Sequence, residues 1–195
     1  LNSLKERLAS VSGAKKNSNA VPSQEHLDRL LQHYQNGRFS EAEQLALSIT
    51  KEFPEHPLSW KVLGALYGKL GRGSEAVSAN QRAVALSPRD AEAHNNLGIT
   101  LKELGRLDEA EASYNQAIAL KPDFAIAYNN LGNALQKLDR VDEIETRYRQ
   151  ATALQPDYAI AYNNLGIRQR EVGRLEEAEA SYNQAIALEP DYAEV

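Results

Sequence analysis

The sequence predicts an all-α protein, folded as a right-handed α-solenoid of five helix–turn–helix repeats. Three observations predict this class: a constant period of 34 residues, apolar residues at helical spacing twice in every period, and a small turn residue, usually glycine, between the two helical stretches. The period is marked by prolines that recur without a slip: Pro54, Pro88, Pro122, Pro156 and Pro190. One helical hairpin cannot bury its apolar stripe alone, whereas stacked hairpins can.

Counting back from the prolines divides most of the chain into repeats. The five blocks are residues 23–56, 57–90, 91–124, 125–158 and 159–192. Residues 1–22 lie outside the period and are expected to form an N-terminal extension, a short amphipathic helix followed by a linker. Residues 193–195 resemble the start of a truncated sixth repeat. We therefore expect either a piece of a longer protein or an apolar end that self-association covers.

Each block contains two amphipathic helices. In the third block, His94, Leu97 and Leu101 follow the i, i+3, i+7 spacing of one helical face. Leu107 and Tyr114 lie on a second face of the same kind. The pattern predicts two helices of about fourteen residues in every repeat.

The turns and helix ends follow from a few residues at fixed places. Gly105 can take the left-handed conformation that ends a first helix, and the other blocks repeat it except the fourth, which has Asp139. Aspartate is a poorer choice there, so the sequence predicts a looser turn. Pro122 ends a second helix, and we expect Asp123, like Asp157 one block later, to cap the helix that follows.

Small residues inside the helices indicate close packing. Four glycines lie within first helices, where each costs roughly 0.5–1 kcal/mol relative to alanine: Gly64, Gly98, Gly132 and Gly166. Close approach of a neighbouring helix is the expected compensation. Tyr114, Tyr148 and Tyr182 on the second helices are expected to fill the space beside them. The second block departs from this pattern, with Asn80 at the aromatic position.

These residues resemble the signature of the tetratricopeptide repeat family. The second block reads Trp60-x2-Leu63-Gly64-x2-Tyr67, followed by Ala76, Ala83 and Pro88. The later blocks keep the Leu-Gly pair and the proline, whereas the first block has Arg29-Leu30 in place of that pair. The resemblance implies a protein-binding scaffold whose first helices line a concave groove.

Composition excludes several other classes. No apolar run approaches the ~18 residues of a membrane-spanning helix, and the net charge of −5 argues against a broad nucleic-acid-binding surface. Without cysteine there are no disulfides or thiolate metal sites, and His26 and His33 are expected in the core rather than on a metal. No convergent catalytic groups are recognisable. We expect a cytoplasmic protein with no enzymatic activity, cofactor or metal.

Paired asparagines on the first helices are the candidate binding residues. The pairs recur in register: Asn95-Asn96, Asn129-Asn130 and Asn163-Asn164. Asparagine costs up to ~0.7 kcal/mol in a helix interior, so its repetition calls for a reason. The second member of each pair resembles the asparagine ladder in the repeat domain of O-linked N-acetylglucosamine transferase, which implies contact with a peptide backbone. The predicted peptide-binding residues are Asn96, Asn130 and Asn164, with Ile99, Asn133 and Ile167 as lesser candidates.

Two other interpretations of the asparagines stay open at this stage. The asparagines could bridge adjacent repeats, or persist because the repeats arose by recent duplication. Cations also stand near the candidates, at Lys102 and Arg170. The pattern of tetratricopeptide domains that hold acidic chaperone tails is not met, because Ala65, Ile126 and Asn130 occupy three of its positions.

The sequence supports one leading function and two alternatives. The leading hypothesis is a protein–protein interaction scaffold that binds an extended peptide or partner protein in the groove. The first alternative is a self-assembling scaffold, a homo-oligomer formed through the uncapped C-terminal repeat. The second is a substrate-recruiting N-terminal arm of a larger transferase, because the near-identical repeats resemble those of bacterial and environmental proteins of such composite design.

Overall fold

A computed structural model describes residues 21–190 of the chain. The chain divides into two compact units, Leu1–His56 and Pro57–Val195. This division falls at the predicted boundary between the first and second blocks. The predicted amphipathic helix and most of its linker, and the predicted start of a sixth repeat at 193–195, lie outside the described residues.

The first unit contains the helical hairpin of the first block. Its described helices are α1 (Gln24–Gln35) and α2 (Phe39–Glu52), which pack against each other. Ser23 caps α1, because its hydroxyl accepts a hydrogen bond from the backbone N–H of His26 at 3.3 Å. Leu30 on α1 and Ala46 on α2 are fully buried.

The second unit contains the other four blocks, with one helical pair in each. Its described helices are α3 (Pro57–Lys69), α4 (Gly73–Leu86), α5 (Ala91–Glu103), α6 (Leu107–Leu120), α7 (Ala125–Lys137), α8 (Val141–Leu154), α9 (Ala159–Glu171) and α10 (Leu175–Leu188). All regular structure in residues 21–190 is helical, and the helices are 12 to 14 residues long. The predicted all-α solenoid of helical pairs is confirmed.

Helix packing in the second unit gives its two sides different roles. The first and second helix of each repeat pack together, and each second helix also packs on the first helix of the next repeat. First helices additionally contact one another, α3 with α5 and α5 with α7. Among the described second helices, no two pack against each other in this way. The closer spacing of the first helices places them on the inner side of the stack.

Glycine and tyrosine form the close contact inside each of the last three repeats. A Cβ atom added to Gly98 would lie 2.6 Å from the ring of Tyr114, and one added to Gly132 would lie 2.5 Å from Tyr148. The same holds for Gly166, where the distance would be 2.8 Å. Real Cβ atoms do not approach a ring so closely, so only glycine lets the second helix come this near. The predicted packing is confirmed.

The second repeat replaces the tyrosine ring by an amide that reaches the next repeat. Asn80 packs over Gly64 and is 1% exposed. Its Nδ2 donates to Thr100 Oγ1 at 2.9 Å, and that hydroxyl in turn donates to the Asn96 carbonyl at 3.0 Å. The departure noted in the sequence is therefore a hydrogen-bonded link from α4 to α5.

The fourth turn closes like the others although it lacks glycine. Asp139 has a φ of 58°, within the left-handed region that Gly105 occupies at 73°. The backbone N–H of Arg140 donates to the Leu135 carbonyl at 3.1 Å, as the equivalent bond does in the third repeat at 2.9 Å. The predicted looser turn is therefore wrong, because aspartate is among the few residues with a side chain that tolerate this conformation.

The predicted helix caps are also wrong, by one residue. Phe124 and Tyr158, not Asp123 and Asp157, occupy the cap positions of α7 and α9, and neither forms a side-chain cap hydrogen bond. Only a side chain at the residue preceding the helix reaches the free N–H groups of its first turn. In the second block that residue is Asp90, whose carboxylate accepts two backbone N–H groups of α5 at 2.9 and 3.1 Å.

The turn geometry predicts opposite effects for two substitutions. Asp139→Gly should raise the free energy of unfolding by about 1 kcal/mol, because a left-handed residue with a Cβ atom is strained by roughly that amount. Gly105→Asp should lower it by a similar amount. Chemical denaturation followed by circular dichroism measures both, and a destabilised Asp139→Gly variant would contradict the assignment.

Candidate binding surface

The candidate binding surface is the side of the first helices that is turned away from the second helices. We call it the first-helix face. On each helix it consists of residues at i, i+4 and i+7, which share one side. These are Glu92, Asn96 and Ile99 on α5, Ile126, Asn130 and Asn133 on α7, and Ile160, Asn164 and Ile167 on α9. The structure thus brings all six predicted site residues onto one face, and all six are half-buried.

Two isoleucines provide exposed apolar surface on this face. Ile126 is 40% exposed and Ile160 is 42% exposed. Each stands at the N-terminal end of the face on its own helix, one turn before Asn130 or Asn164. On both α7 and α9, the face therefore carries an exposed isoleucine followed one turn later by an asparagine.

Amide hydrogen bonds join neighbouring first helices, and we call them the amide rungs. Asn130 Nδ2 donates to Asn95 Oδ1 at 3.0 Å, and Asn164 Nδ2 donates to Asn129 Oδ1 at 2.9 Å. The two partners are 35 residues apart, one more than the repeat length. Asn95 and Asn129 are buried, at 4% and 2% exposure. The inter-repeat interpretation left open by the sequence therefore applies to the amide nitrogens of Asn130 and Asn164, and that of Asn164 also donates to Asn133 Oδ1 at 3.4 Å.

The third predicted asparagine takes no part in a rung. The residue 35 positions before Asn96 is Lys61, whose ammonium pairs with Asp90 at 3.0 Å and with Glu92 at 2.9 Å. The side chain of Asn96 forms no hydrogen bond with any described residue. Its amide is therefore available to donate and accept. Asn130 and Asn164 each keep an unused amide oxygen within the described part of the chain.

The Lys61 ion pairs shift the pKa values of their members. Burial alone would lower the pKa of Lys61, but its hydrogen bonds to Glu92 and Asp90 hold it above its ordinary value. Burial alone would likewise raise the pKa of Asp90, whereas Lys61 and the backbone N–H groups of α5 hold it below the usual range. Both groups are charged at neutral pH and together connect α3 to the start of α5.

Asn133 differs from its two equivalents because it contacts a tyrosine of its own repeat. The Tyr148 hydroxyl donates to Asn133 Oδ1 at 2.7 Å. Ile99 stands at the same position in the third repeat, and the buried hydroxyl of Tyr114 has no partner among the described residues. Burial raises the pKa of Tyr148 to about 12 and that of Tyr114 further. Asn133 is thus partly a core residue, which its position in the sequence does not reveal.

Sequence reasoning did not anticipate the ion pairs on the second helices. Arg140 contacts Glu143 in its own repeat at 2.5 Å and Glu111 of the preceding repeat at 2.6 Å. Arg174 contacts Glu145 in the same inter-repeat manner. A signal existed, because an arginine follows the left-handed turn residue in repeats two to five and a glutamate precedes that arginine by 29 residues in three of these repeats.

Other candidate sites receive no support in the described residues. His33 is half-buried, but His26 is exposed, so its predicted core position is wrong. Histidine, aspartate and glutamate form no group of three or more that could hold a metal within residues 21–190. None of the described helices is both long and apolar enough to cross a membrane.

Comparison with protein families identifies the repeats. Models described as tetratricopeptide repeat match residues 27–91, 79–112 and 123–189, and a model described as TPR repeat matches residues 100–139. Together they extend across nearly all of the described residues. No curated protein sequence matches the chain.

Solved structures of the same architecture resemble this chain. A crystal structure of MamA is 24% identical with a TM-score of 0.71, covering 84% of this chain and 96% of MamA. PilF of Pseudomonas aeruginosa is 17% identical with a TM-score of 0.78, covering 84% of this chain and 74% of PilF. PilW, a type IV pilus biogenesis factor, is 23% identical with a TM-score of 0.78, covering 89% of this chain and 80% of PilW. At these identities the likeness shows the shared fold.

The two tyrosine environments predict a contrast between matched substitutions. Tyr148→Phe should lower the free energy of unfolding by about 1 kcal/mol, because it removes the hydrogen bond to Asn133. Tyr114→Phe should leave stability unchanged or raise it, because it removes a buried hydroxyl without a partner. Thermal and urea denaturation of both variants measure the difference, and equal losses would show that the Tyr148 hydrogen bond contributes nothing.

Proposed function

Because the chain belongs to the tetratricopeptide repeat family, we propose that it is a protein-interaction scaffold that binds an extended peptide segment of a partner on the first-helix face. The single observation that carries this proposal is the state of the three asparagine amides. Asn130 and Asn164 are held in place by the rungs and retain oxygens that no residue in 21–190 uses, and the Asn96 amide forms no side-chain hydrogen bond within the same range.

Side-chain amides suit a partner recognised through its backbone. An amide donates and accepts, as a peptide bond does, so it pairs with an extended chain whatever its side chains are. The 2.9 and 3.0 Å rungs fix two of the amides before the ligand arrives, so binding orders few side chains of the receptor. The surface therefore favours extended segments with little demand on sequence.

The exposed isoleucines supply the apolar part of the proposed contact. Ile126 and Ile160 lie one turn from the amides on adjacent helices, so alternate side chains of an extended segment can pack on them. No catalytic role is assigned to any residue of this face. A cytoplasmic location, the lack of a nucleic-acid partner and the resemblance to O-linked N-acetylglucosamine transferase stay predictions.

Substitutions of the asparagines are expected to affect peptide affinity and stability differently. Peptides selected from a phage-displayed random library serve as the probe, and fluorescence anisotropy of the synthetic peptide measures affinity. Asn96→Ala should weaken binding by about fivefold, because one neutral hydrogen bond contributes about 1 kcal/mol. It should not lower the free energy of unfolding, because alanine is the better helix former. Asn130→Ala should weaken binding and also lower the free energy of unfolding, because a rung is lost.

A matched control distinguishes a site effect from a helix effect. Asn115→Ala makes the same exchange in the interior of α6, where the side chain is exposed and lies away from the first-helix face. It should leave affinity unchanged. Replacement of Asn96, Asn130 and Asn164 together by alanine with full retention of affinity would exclude the amides as contacts.

Self-association is a second candidate, favoured by one exposed side chain. Leu175 at the start of α10 is 61% exposed, whereas Leu107, its equivalent in the third repeat, is half-buried. In the second repeat, the equivalent position is Gly73, which lies against Leu104 of the following repeat. We propose that a second copy of the chain covers the surface around Leu175 on α10.

Gel filtration with light scattering tests self-association over an about hundredfold range of concentration. A mass that rises with concentration, and falls back to that of one chain in Leu175→Glu, is the expected result. A mass of one chain throughout would remove this candidate and leave peptide binding as the proposed function.

A further inference from the structure

Two lysines of adjacent repeats stand together at the C-terminal end of the first-helix face. Lys102 on α5 and Lys137 on α7 are separated by the same 35 residues as the rung partners Asn95 and Asn130. Each lysine follows its asparagine by about two helical turns, so the rung and the lysines lie on the same sides of the two helices. The positive charge of Lys137 acts on Lys102, in agreement with this placement.

Neither lysine is neutralised within the described part of the chain. Lys102 and Lys137 form no ion pair there, whereas Lys61 near the other end of the face contacts two carboxylates. Burial lowers the pKa of Lys102, the negative charge of Glu103 opposes this shift, and the positive charge of Lys137 adds to it by a smaller amount. Two like charges, one of them half-buried, therefore stand in register on adjacent helices without an ion pair to a described carboxylate.

The nearest acidic neighbour points to a different helix. A Cβ atom added to Gly68 on α3 would lie 3.9 Å from Glu103 Oε2, so this carboxylate is directed toward the second repeat. Lys102 lies on the side of α5 that faces α7. The equivalent positions of the next junction hold Gln136 and Glu171. A pair of cations at this level is therefore confined to the junction of α5 and α7.

We propose that Lys102 and Lys137 together bind the carboxylate of one aspartate or glutamate side chain in the peptide segment that occupies the first-helix face. The inference rests on the proposed function and specifies its partner further. A carboxylate has two oxygens and can accept hydrogen bonds from both ammonium groups. Its negative charge relieves the repulsion between the two lysines, so the contact is favourable on both sides.

The charges of the surrounding face restrict where the partner can be acidic. Glu92, Glu103 and Glu171 stand on or beside the same face, and the chain carries a net charge of −5. A uniformly acidic segment would be repelled by these groups. The expected ligand therefore has one acidic residue at a fixed distance from the residue that packs on Ile126.

Selection from a phage-displayed random peptide library tests this specificity. Peptides bound by the unmodified chain should be enriched in aspartate or glutamate at a single position. A synthetic peptide with that residue changed to its amide should bind about tenfold more weakly, as expected for a partly buried charge contact. The double variant Lys102→Glu/Lys137→Glu should lose the acidic preference and select lysine or arginine at the same position.

The control makes the same change of charge away from the proposed site. Lys51→Glu/Lys121→Glu reverses two exposed lysines on or just after second helices and should keep the acidic preference. Loss of the preference in this control would show that it depends on the net charge of the chain rather than on Lys102 and Lys137, and would overturn the assignment. Selected peptides without an acidic position would overturn it as well but leave the proposed function standing. No selected peptide at all would overturn both.

Discussion

The contact of tyrosine on glycine inside each of the last three hairpins is the constraint on which the rest of the second unit depends. Because Gly98 and Gly132 have no side chain, the rings of Tyr114 and Tyr148 lie directly against the backbone of the first helix. The second helix then covers one side of the first, and the opposite side stays uncovered. The first-helix face stays uncovered because the hairpin packs on the opposite side of the first helix, where glycine lets the second helix come close.

The offset of 35 residues between facing positions organises this face. It brings Asn130 to Asn95 at 3.0 Å, Glu103 to Gly68, and Lys137 to Lys102. The structure therefore pairs each side chain with one that a 34-residue alignment of the repeats places in a neighbouring column. Positions equivalent in sequence need not be partners in space, which is why Asn130 donates to the preceding repeat whereas its neighbour Asn129 accepts from the following one.

Much of the architecture could be predicted from the sequence, because proline, glycine and apolar spacing act locally. The helices, the left-handed turns and the glycine–tyrosine packing all follow from that. The predicted caps were one residue too early, because aspartate, as at Asp123, is a preferred cap residue whereas phenylalanine, as at Phe124, is not. Two features could not be predicted: the Asn96 side chain has no hydrogen-bond partner among the described residues, and Lys102 forms no ion pair with them. Both depend on how neighbouring helices are displaced along their axes. The position of α8 along α7 likewise decides that the Tyr148 hydroxyl reaches Asn133, and the 34-residue period does not predict this contact.

The rungs also bear on how such an array changes its length in evolution. A duplicated copy of residues 125–158, inserted in register, would present Asn130 to the preceding repeat and Asn129 to the following one, so every rung would be restored. The junction between the second and third repeats has no such freedom. There Lys61 meets Glu92, and Asn80 meets Thr100, so each side is fitted to one neighbour. Recombination that adds or removes whole units toward the C-terminal side therefore keeps the amide rungs, whereas the same event at the junction of the second and third repeats breaks contacts that no other unit can replace.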